Sequence, residues 1–126
     1  MTPEAADYLR HSKLALEDAK TALGARIFRL AARESYIAAL NAARAIVFEK
    51  RTIASKTHSG THSLFHQLVK DGIKVDRHTL DLLSEGFDVK TNADYGPYEE
   101  VEEERAKDFV QRADVLVAII ESELSR

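Results

Sequence analysis

Residues 31–48 read AARESYIAALNAARAIVF, a segment in which small side chains recur along one helical face. Their spacing of three or four positions is that of neighbours on a helix surface. The small residues are Ala31, Ser35, Ala38, Ala42 and Ala45. A stripe of larger apolar side chains contains Leu30, Ile37, Leu40 and either Val47 or Phe48. Because small side chains let a second helix approach closely, the segment predicts a central helix over about residues 25–50.

The chain on either side of this segment keeps the helical period, with capping residues at the predicted helix starts. A first helix is predicted from Pro3 to Gly24, and a third and a fourth follow the polar loop at residues 51–57. The third helix is expected to end at Asp71-Gly72, because glycine favours the end of a helix. The predicted N-terminal caps are Thr2, then Thr57 or Ser59, and Asp76.

The C-terminal quarter of the chain contains the strongest helix breaker, Gly96-Pro97, inside a predicted loop at residues 92–98. A last helix is predicted to open at Glu99 and Glu100 and to continue through Phe109 and Leu124. We therefore expect an all-α fold: an up-and-down bundle of four longer helices and one short helix. With 126 residues, the chain is expected to form one domain over residues 1–126.

Composition limits the classes of function. No apolar run approaches the roughly 20 residues of a membrane span, and the N-terminus has no basic start followed by an apolar stretch. The chain has no cysteine, so it has no disulfide and no thiolate metal site, and we expect a cytoplasmic protein. The formal net charge of −3 disfavours nucleic-acid binding by bulk charge and leaves room for a local basic site.

Three segments carry a family resemblance by their order and spacing. They are Ser35-Tyr36-Ile37-Ala38-Ala39-Leu40-Asn41-Ala42-Ala43-Arg44-Ala45, Lys56-Thr57-His58-Ser59-Gly60 and Ala93-Asp94-Tyr95-Gly96. Together they resemble HEPN domains (higher eukaryotes and prokaryotes nucleotide-binding), in the uncharacterised branch often encoded beside minimal nucleotidyltransferases. The resemblance implies a helical, often dimeric domain that acts on RNA or a nucleotide without a metal or other cofactor. It also implies a possible nucleotidyltransferase partner and a toxin–antitoxin role.

The resemblance assigns roles to residues as well. Active members have an arginine and a histidine separated by four to six intervening residues, and six residues lie between Arg51 and His58. In a ribonuclease of this type, His58 would act as general base or acid and Arg51 would hold the scissile phosphate. The further substrate-binding residues expected from the resemblance and the local charge are Lys56, His62, Asp94 and Tyr95.

Two other interpretations stay open. Toxin-type members carry a tyrosine two residues after the histidine, where this chain has Gly60, which favours a non-catalytic module that binds a nucleotide or a protein. His58, His62 and His66 recur every four residues, so neighbouring imidazoles could bind a divalent metal. A metal site needs a third or fourth ligand, so our prediction is a polar face and no metal.

Overall fold

A computed structural model describes residues 1–95 and 100–126, without the side chains of Ala93 and Tyr95. The described residues are predominantly helical and contain no strand, which confirms the predicted all-α class. The helices are α1 (Pro3–Gly24), α2 (Phe28–Arg51), α3 (His58–Lys70), α4 (Arg77–Leu80), α5 (Leu82–Tyr95) and α6 (Glu103–Leu124).

Helix α2 is the centre of the bundle, as its small residues predict, and it packs against α1, α3, α5 and α6. Alanine loses no side-chain rotamer freedom on burial, so close packing along this helix costs little entropy. Leu30, expected in the apolar stripe, is instead 42% exposed in the first turn of α2, next to the buried Ala31. The fully buried small residues of α2 are Ala31, Ala32, Ser35, Ala38, Ala39, Ala42, Ala43 and Ala45.

The predicted caps are confirmed in the structure. Thr2, Thr57 and Asp76 each accept a hydrogen bond from the backbone N–H three residues later, at 3.1, 3.0 and 3.2 Å. Each cap satisfies a donor that the first turn of a helix leaves without an intrahelical partner. These local bonds fix where α1, α3 and α4 begin, and therefore place His58 as the first residue of α3.

Three helix boundaries differ from the predictions. The fourth helix is divided at Asp81 into α4 and α5, and α5 continues through Asn92–Tyr95, where a loop was expected. Ion pairs of Asp94 with Lys90 and Arg33, both at 2.9 Å, stabilise this extra turn. The predicted breaker Gly96-Pro97 lies outside the described residues.

The last helix, α6, begins at Glu103 and not at Glu99 or Glu100. Val101 is buried, and Glu102 is the extended N-cap residue of α6, so the chain first covers the core and then turns into the helix. The two glutamates of the first helical turn, Glu103 and Glu104, favour this start, since acidic side chains complement the positive end of a helix.

Helix α3 is the most lightly anchored of the longer helices. It packs mainly against α2, and its buried residues are Thr61, Phe65 and Leu68. Across the described ranges, no helix is long and apolar enough to cross a membrane.

Candidate functional site

Tyr36 lies between two histidines where α2, α3 and α5 meet. Its ring is fully buried, and its hydroxyl is 2.6 Å from Nδ1 of His58 and 3.0 Å from Nε2 of His62. Phe87 of α5 also contacts these residues: its ring centre is 5.2 Å from that of His58 and 6.1 Å from that of Tyr36. We call these four residues, Tyr36, His58, His62 and Phe87, the Tyr36 cluster.

The helices place these side chains by their spacing. His58 and His62 are one turn apart on α3 and therefore project toward the same part of α2. The Tyr36 ring stacks on His58 with an angle of 12° and meets His62 nearly edge-on at 81°. Gly86 of α5 is buried against Tyr36 and leaves room for its ring.

A proton count restricts the tautomers of the cluster. A phenol hydroxyl has one proton, so between two neutral imidazoles it donates to one and accepts from the other. If Nδ1 of His58 donates to Tyr36, the hydroxyl of Tyr36 donates to Nε2 of His62. Nε2 of His58 then has a free lone pair and can accept a proton. The opposite arrangement makes Nε2 of His58 a donor.

Burial keeps the cluster uncharged at neutral pH. Together with the positive charges of His58, His66 and Arg44, it lowers the pKa of His62 to about 4. Burial also raises the pKa of Tyr36 above its ordinary value. The hydroxyl therefore stays protonated and His62 stays neutral, as the proton count requires.

We expect the low pKa of His62 to make the folded protein sensitive to acid. An unfolded chain binds a proton at His62 near pH 6.5, whereas the folded one does so near 4. Between these values the unfolded state binds more protons, so the free energy of unfolding falls as the pH falls through this window. Urea unfolding at about pH 7, 5.5 and 4.5 measures this slope. His62→Gln should flatten it, and parallel slopes for the two proteins would contradict the assignment.

Among the positively charged residues near the Tyr36 cluster, Arg44 is the one best suited to bind a ligand. It lies on α2, two turns after Tyr36, and its Nε is buried without a hydrogen-bond partner. Burial lowers the pKa of His58, and the charges of Arg44 and then Lys90 lower it further. His58 is therefore a neutral imidazole at pH 7 with positive charges near it. Its Nε2 has no hydrogen-bond partner among residues 1–95 and 100–126.

The structure does not bring Arg51 to His58. Arg51 is the last residue of α2 and donates to Asp71 at 2.5 Å, beyond the far end of α3. Lys56 is exposed in the loop two residues before His58. Of the residues predicted from sequence, His58 and His62 thus share a site, and Arg51 lies in an ion pair elsewhere.

Asp94 serves mainly to connect helices. It accepts from Arg33 of α2 and from Lys90 of α5, and these hydrogen bonds hold the pKa of its carboxyl below its usual value. Lys90 also lowers the pKa of His58 through its charge, so Asp94 is linked to His58 indirectly, through Lys90. The side chain of Tyr95 lies outside the described part of the chain.

His66 does not join the Tyr36 cluster. It is exposed, and its Nδ1 is 2.7 Å from the backbone oxygen of His62. Within the described ranges, no group of three or more His, Cys, Asp or Glu residues is placed to hold a metal ion. The histidine stripe therefore divides into a buried part, His58 and His62, and an exposed part.

Comparison with known proteins identifies the family. Residues 5–123 match the HEPN domain. The chain belongs to the HEPN family. A UPF0332 protein of Thermotoga maritima is 31% identical over 113 residues, which are 89% of this chain and 84% of that protein. Two of the three HEPN-like segments meet in the Tyr36 cluster, since residues 35–45 contain Tyr36 and Arg44 and residues 56–60 contain His58.

The HEPN-like segments also contain residues whose roles the sequence did not reveal. Tyr36 and Arg44 stand out in α2 as large polar side chains among alanines, and this contrast was the signal in the sequence that could have identified them.

Gly60, where toxin-type members have tyrosine, has no room for a side chain: an added Cβ would lie 2.7 Å from Oγ1 of Thr57 and would also meet Ser55. A larger residue would therefore disturb the cap that starts α3.

Proposed function

We propose that this HEPN domain acts on RNA and cleaves it without a metal ion, with His58 as general base. The observation that carries the proposal is the state of His58: Tyr36 engages Nδ1, Nε2 has no protein partner in the described ranges, and the ring is neutral beside Arg44. Such an imidazole can accept a proton at neutral pH.

The chemistry follows from the tautomer in which Nδ1 of His58 donates to Tyr36. Nε2 takes the proton of a ribose 2′-hydroxyl, and the 2′ oxygen attacks the adjacent phosphorus. The bond from phosphorus to the 5′ oxygen breaks, and the proton passes from His58 to that oxygen, directly or through water. The products are a 2′,3′-cyclic phosphate and a 5′-hydroxyl. A fixed cation stabilises the charge that develops on the phosphate.

Cleavage of RNA in excess EDTA tests this function. We expect the wild-type protein to produce 2′,3′-cyclic phosphate ends and His58→Ala to lose this activity. His66→Ala is the matched control, because His66 lies on the same helix, is exposed, and does not contact Tyr36. Equal cleavage by wild-type protein and His58→Ala would contradict the proposal.

A second candidate is a HEPN module that binds a nucleotide or a protein without cleaving RNA. The ion pair between Arg51 and Asp71 favours it, because the arginine that family resemblance assigns to the phosphate is already engaged. Binding of RNA or nucleotide with no cleavage in the same assay supports this candidate.

In both cases we propose that the protein works as a homodimer, with a nucleotidyltransferase that restrains it in a toxin–antitoxin pair. Family membership supports this assignment. The cluster includes the first turn of α3, and a second copy facing it would form a cleft around His58. Residues 1–126 would then act as one HEPN unit in each protomer.

A further inference from the structure

Arg44 differs from the other arginines inside or against this bundle by lacking an acceptor. Its side chain is partly buried, its Nε is inaccessible, and it makes no hydrogen bond or ion pair with the part of the chain that is described. Arg112 is more deeply buried and has three acceptors: Glu85, Asp108 and the backbone oxygen of His78. Arg51 has Asp71.

An arginine without an acceptor is costly in a protein interior. The guanidinium stays protonated at any physiological pH and has five N–H donors. Burial removes the water that would otherwise satisfy the Nε–H of Arg44. A buried donor without a partner costs free energy, which a bound anion would offset. Polar groups of this kind are rare in folded proteins and call for a ligand or an ordered water.

The titratable groups on which the charge of Arg44 acts are neutral at pH 7. The charge of Arg44 acts on Tyr36, His58 and His62, and Lys90 acts on His58 in addition. No carboxylate is among the groups that shift the pKa of either histidine. This local charge contrasts with the net charge of −3 for the whole chain. His58 is also the first residue of α3, where the helix dipole favours an anion.

The positions along α2 allow Arg44 to reach the cluster. Arg44 lies eight residues after Tyr36, or about 12 Å along the helix axis. Side chains on a helix lean toward its N-terminus, so a long arginine side chain extends back toward Tyr36. An anion held by Arg44 would then lie beside Nε2 of His58.

We propose that Arg44 binds a phosphoryl group beside His58, either a phosphodiester of RNA or the terminal phosphate of a nucleotide. The proposal deepens the proposed function and rests on the same site, with Arg44 in place of Arg51 as the group that holds the phosphate. A tetrahedral phosphate has enough oxygens to accept from the guanidinium fork and, once His58 is protonated, from its Nε2–H as well. Its negative charge matches a site with one fixed cation and a second, Lys90, shared with Asp94.

Titration of the protein with inorganic phosphate tests the proposal, with the histidine ring signals followed by NMR. We expect saturable binding to wild-type protein and a rise in the pKa of His58 when phosphate is bound, because an anion favours the charged imidazole. Arg44→Gln should weaken binding at least about tenfold. Arg51→Gln is the matched control, since it removes an arginine from the end of the same helix, and it should bind as wild type does.

Arg44→Lys keeps the positive charge but loses the planar fork, and it should bind more weakly than wild type and more tightly than Arg44→Gln. Arg44→Lys also replaces Arg44→Gln in the test if Arg44→Gln fails to fold. A 2′-O-methyl dinucleotide, which cannot be cleaved, distinguishes the sources of the phosphoryl group. Arg44-dependent binding of the dinucleotide indicates an RNA backbone, and binding of free phosphate alone indicates a small nucleotide.

Two outcomes would overturn the proposal: no saturable binding of either ligand to wild-type protein, or binding to Arg44→Gln as tight as to wild type. Neither ligand is cleaved, so this experiment is independent of the ribonuclease assay. Arg44-dependent binding without RNA cleavage would keep the phosphate site and remove the proposed activity. RNA cleavage that is lost in His58→Ala but kept in Arg44→Gln would support the proposed activity and contradict the phosphate-binding role of Arg44.

Discussion

Replacing Gly86 by alanine is expected to lower the free energy of unfolding by about 1–3 kcal/mol, the range for overpacking a core. A Cβ at this position would lie 2.8 Å from both Cβ and Cδ1 of Tyr36, well inside normal contact. The Cβ of Tyr36 is fixed by α2, so the clash can be relieved only by moving α5 or the ring. Alanine normally stabilises a helix by about 1 kcal/mol relative to glycine, so a loss of stability would report the clash itself.

The same substitution should disrupt the Tyr36 cluster. If the ring shifts, the hydroxyl loses its bonds to His58 and His62, and the pKa of His62 should rise from about 4 toward the ordinary 6.5. Urea unfolding and NMR titration of the histidines measure the two effects. Gly24→Ala is the control, because a Cβ there meets no atom within 4 Å. Equal stability of the two alanine variants would contradict the close approach of α5 to Tyr36.

Replacing Arg112 by alanine is expected to destabilise the protein by about 3 kcal/mol, the lower end of the range for breaking a buried ion pair. The side chain of Arg112 is 3% exposed and donates to the backbone oxygen of His78 at 2.6 and 2.9 Å. It also pairs with Glu85 and Asp108, so it joins α6 to α4 and α5. Its removal leaves the carbonyl of His78 without this donor and opens a cavity over Phe109.

Urea unfolding of Arg112→Ala should be compared with that of Arg77→Ala. The Arg77 side chain is 86% exposed and pairs with Asp81 one turn away, at 2.9 Å. Exposed pairs of this kind contribute little to stability, so Arg77→Ala should unfold nearly as wild type does. A comparably small effect of both substitutions would show that Arg112 does not hold the α4–α5 unit against α6.

The fold was predictable because its determinants are local. The alanine spacing of α2 and the caps Thr2, Thr57 and Asp76 act over a few residues, and the structure confirms them. The extra turn of α5 was missed in part because one of the two partners of Asp94, Arg33, is distant from it in sequence. A breaker such as Gly96-Pro97 predicts that a helix ends but does not set the residue at which it does so.

The candidate site was predictable only in part, because some of its residues are brought together by contacts between helices that are distant in sequence. His58 and His62 lie on one helix, so their proximity follows from their spacing. Tyr36 and Gly86 come from two other helices, and only packing brings them to these histidines. The spacing between Arg51 and His58 gives no information about Asp71, which takes up the guanidinium of Arg51. Whether Arg51 or Arg44 holds a phosphate stays a prediction for experiment.

The light anchoring of α3 has a consequence for motion. A helix that packs mainly against one neighbour and buries three side chains can open locally at a lower free energy than the whole bundle. Amide hydrogens of α3 should then exchange with solvent through such openings, while those of α2 exchange only through global unfolding. Each opening separates both histidines from Tyr36 and removes the tautomer that leaves Nε2 of His58 free. The lifetime of the assembled site would thus be set by the docking of α3 alone, while the rest of the fold stays intact.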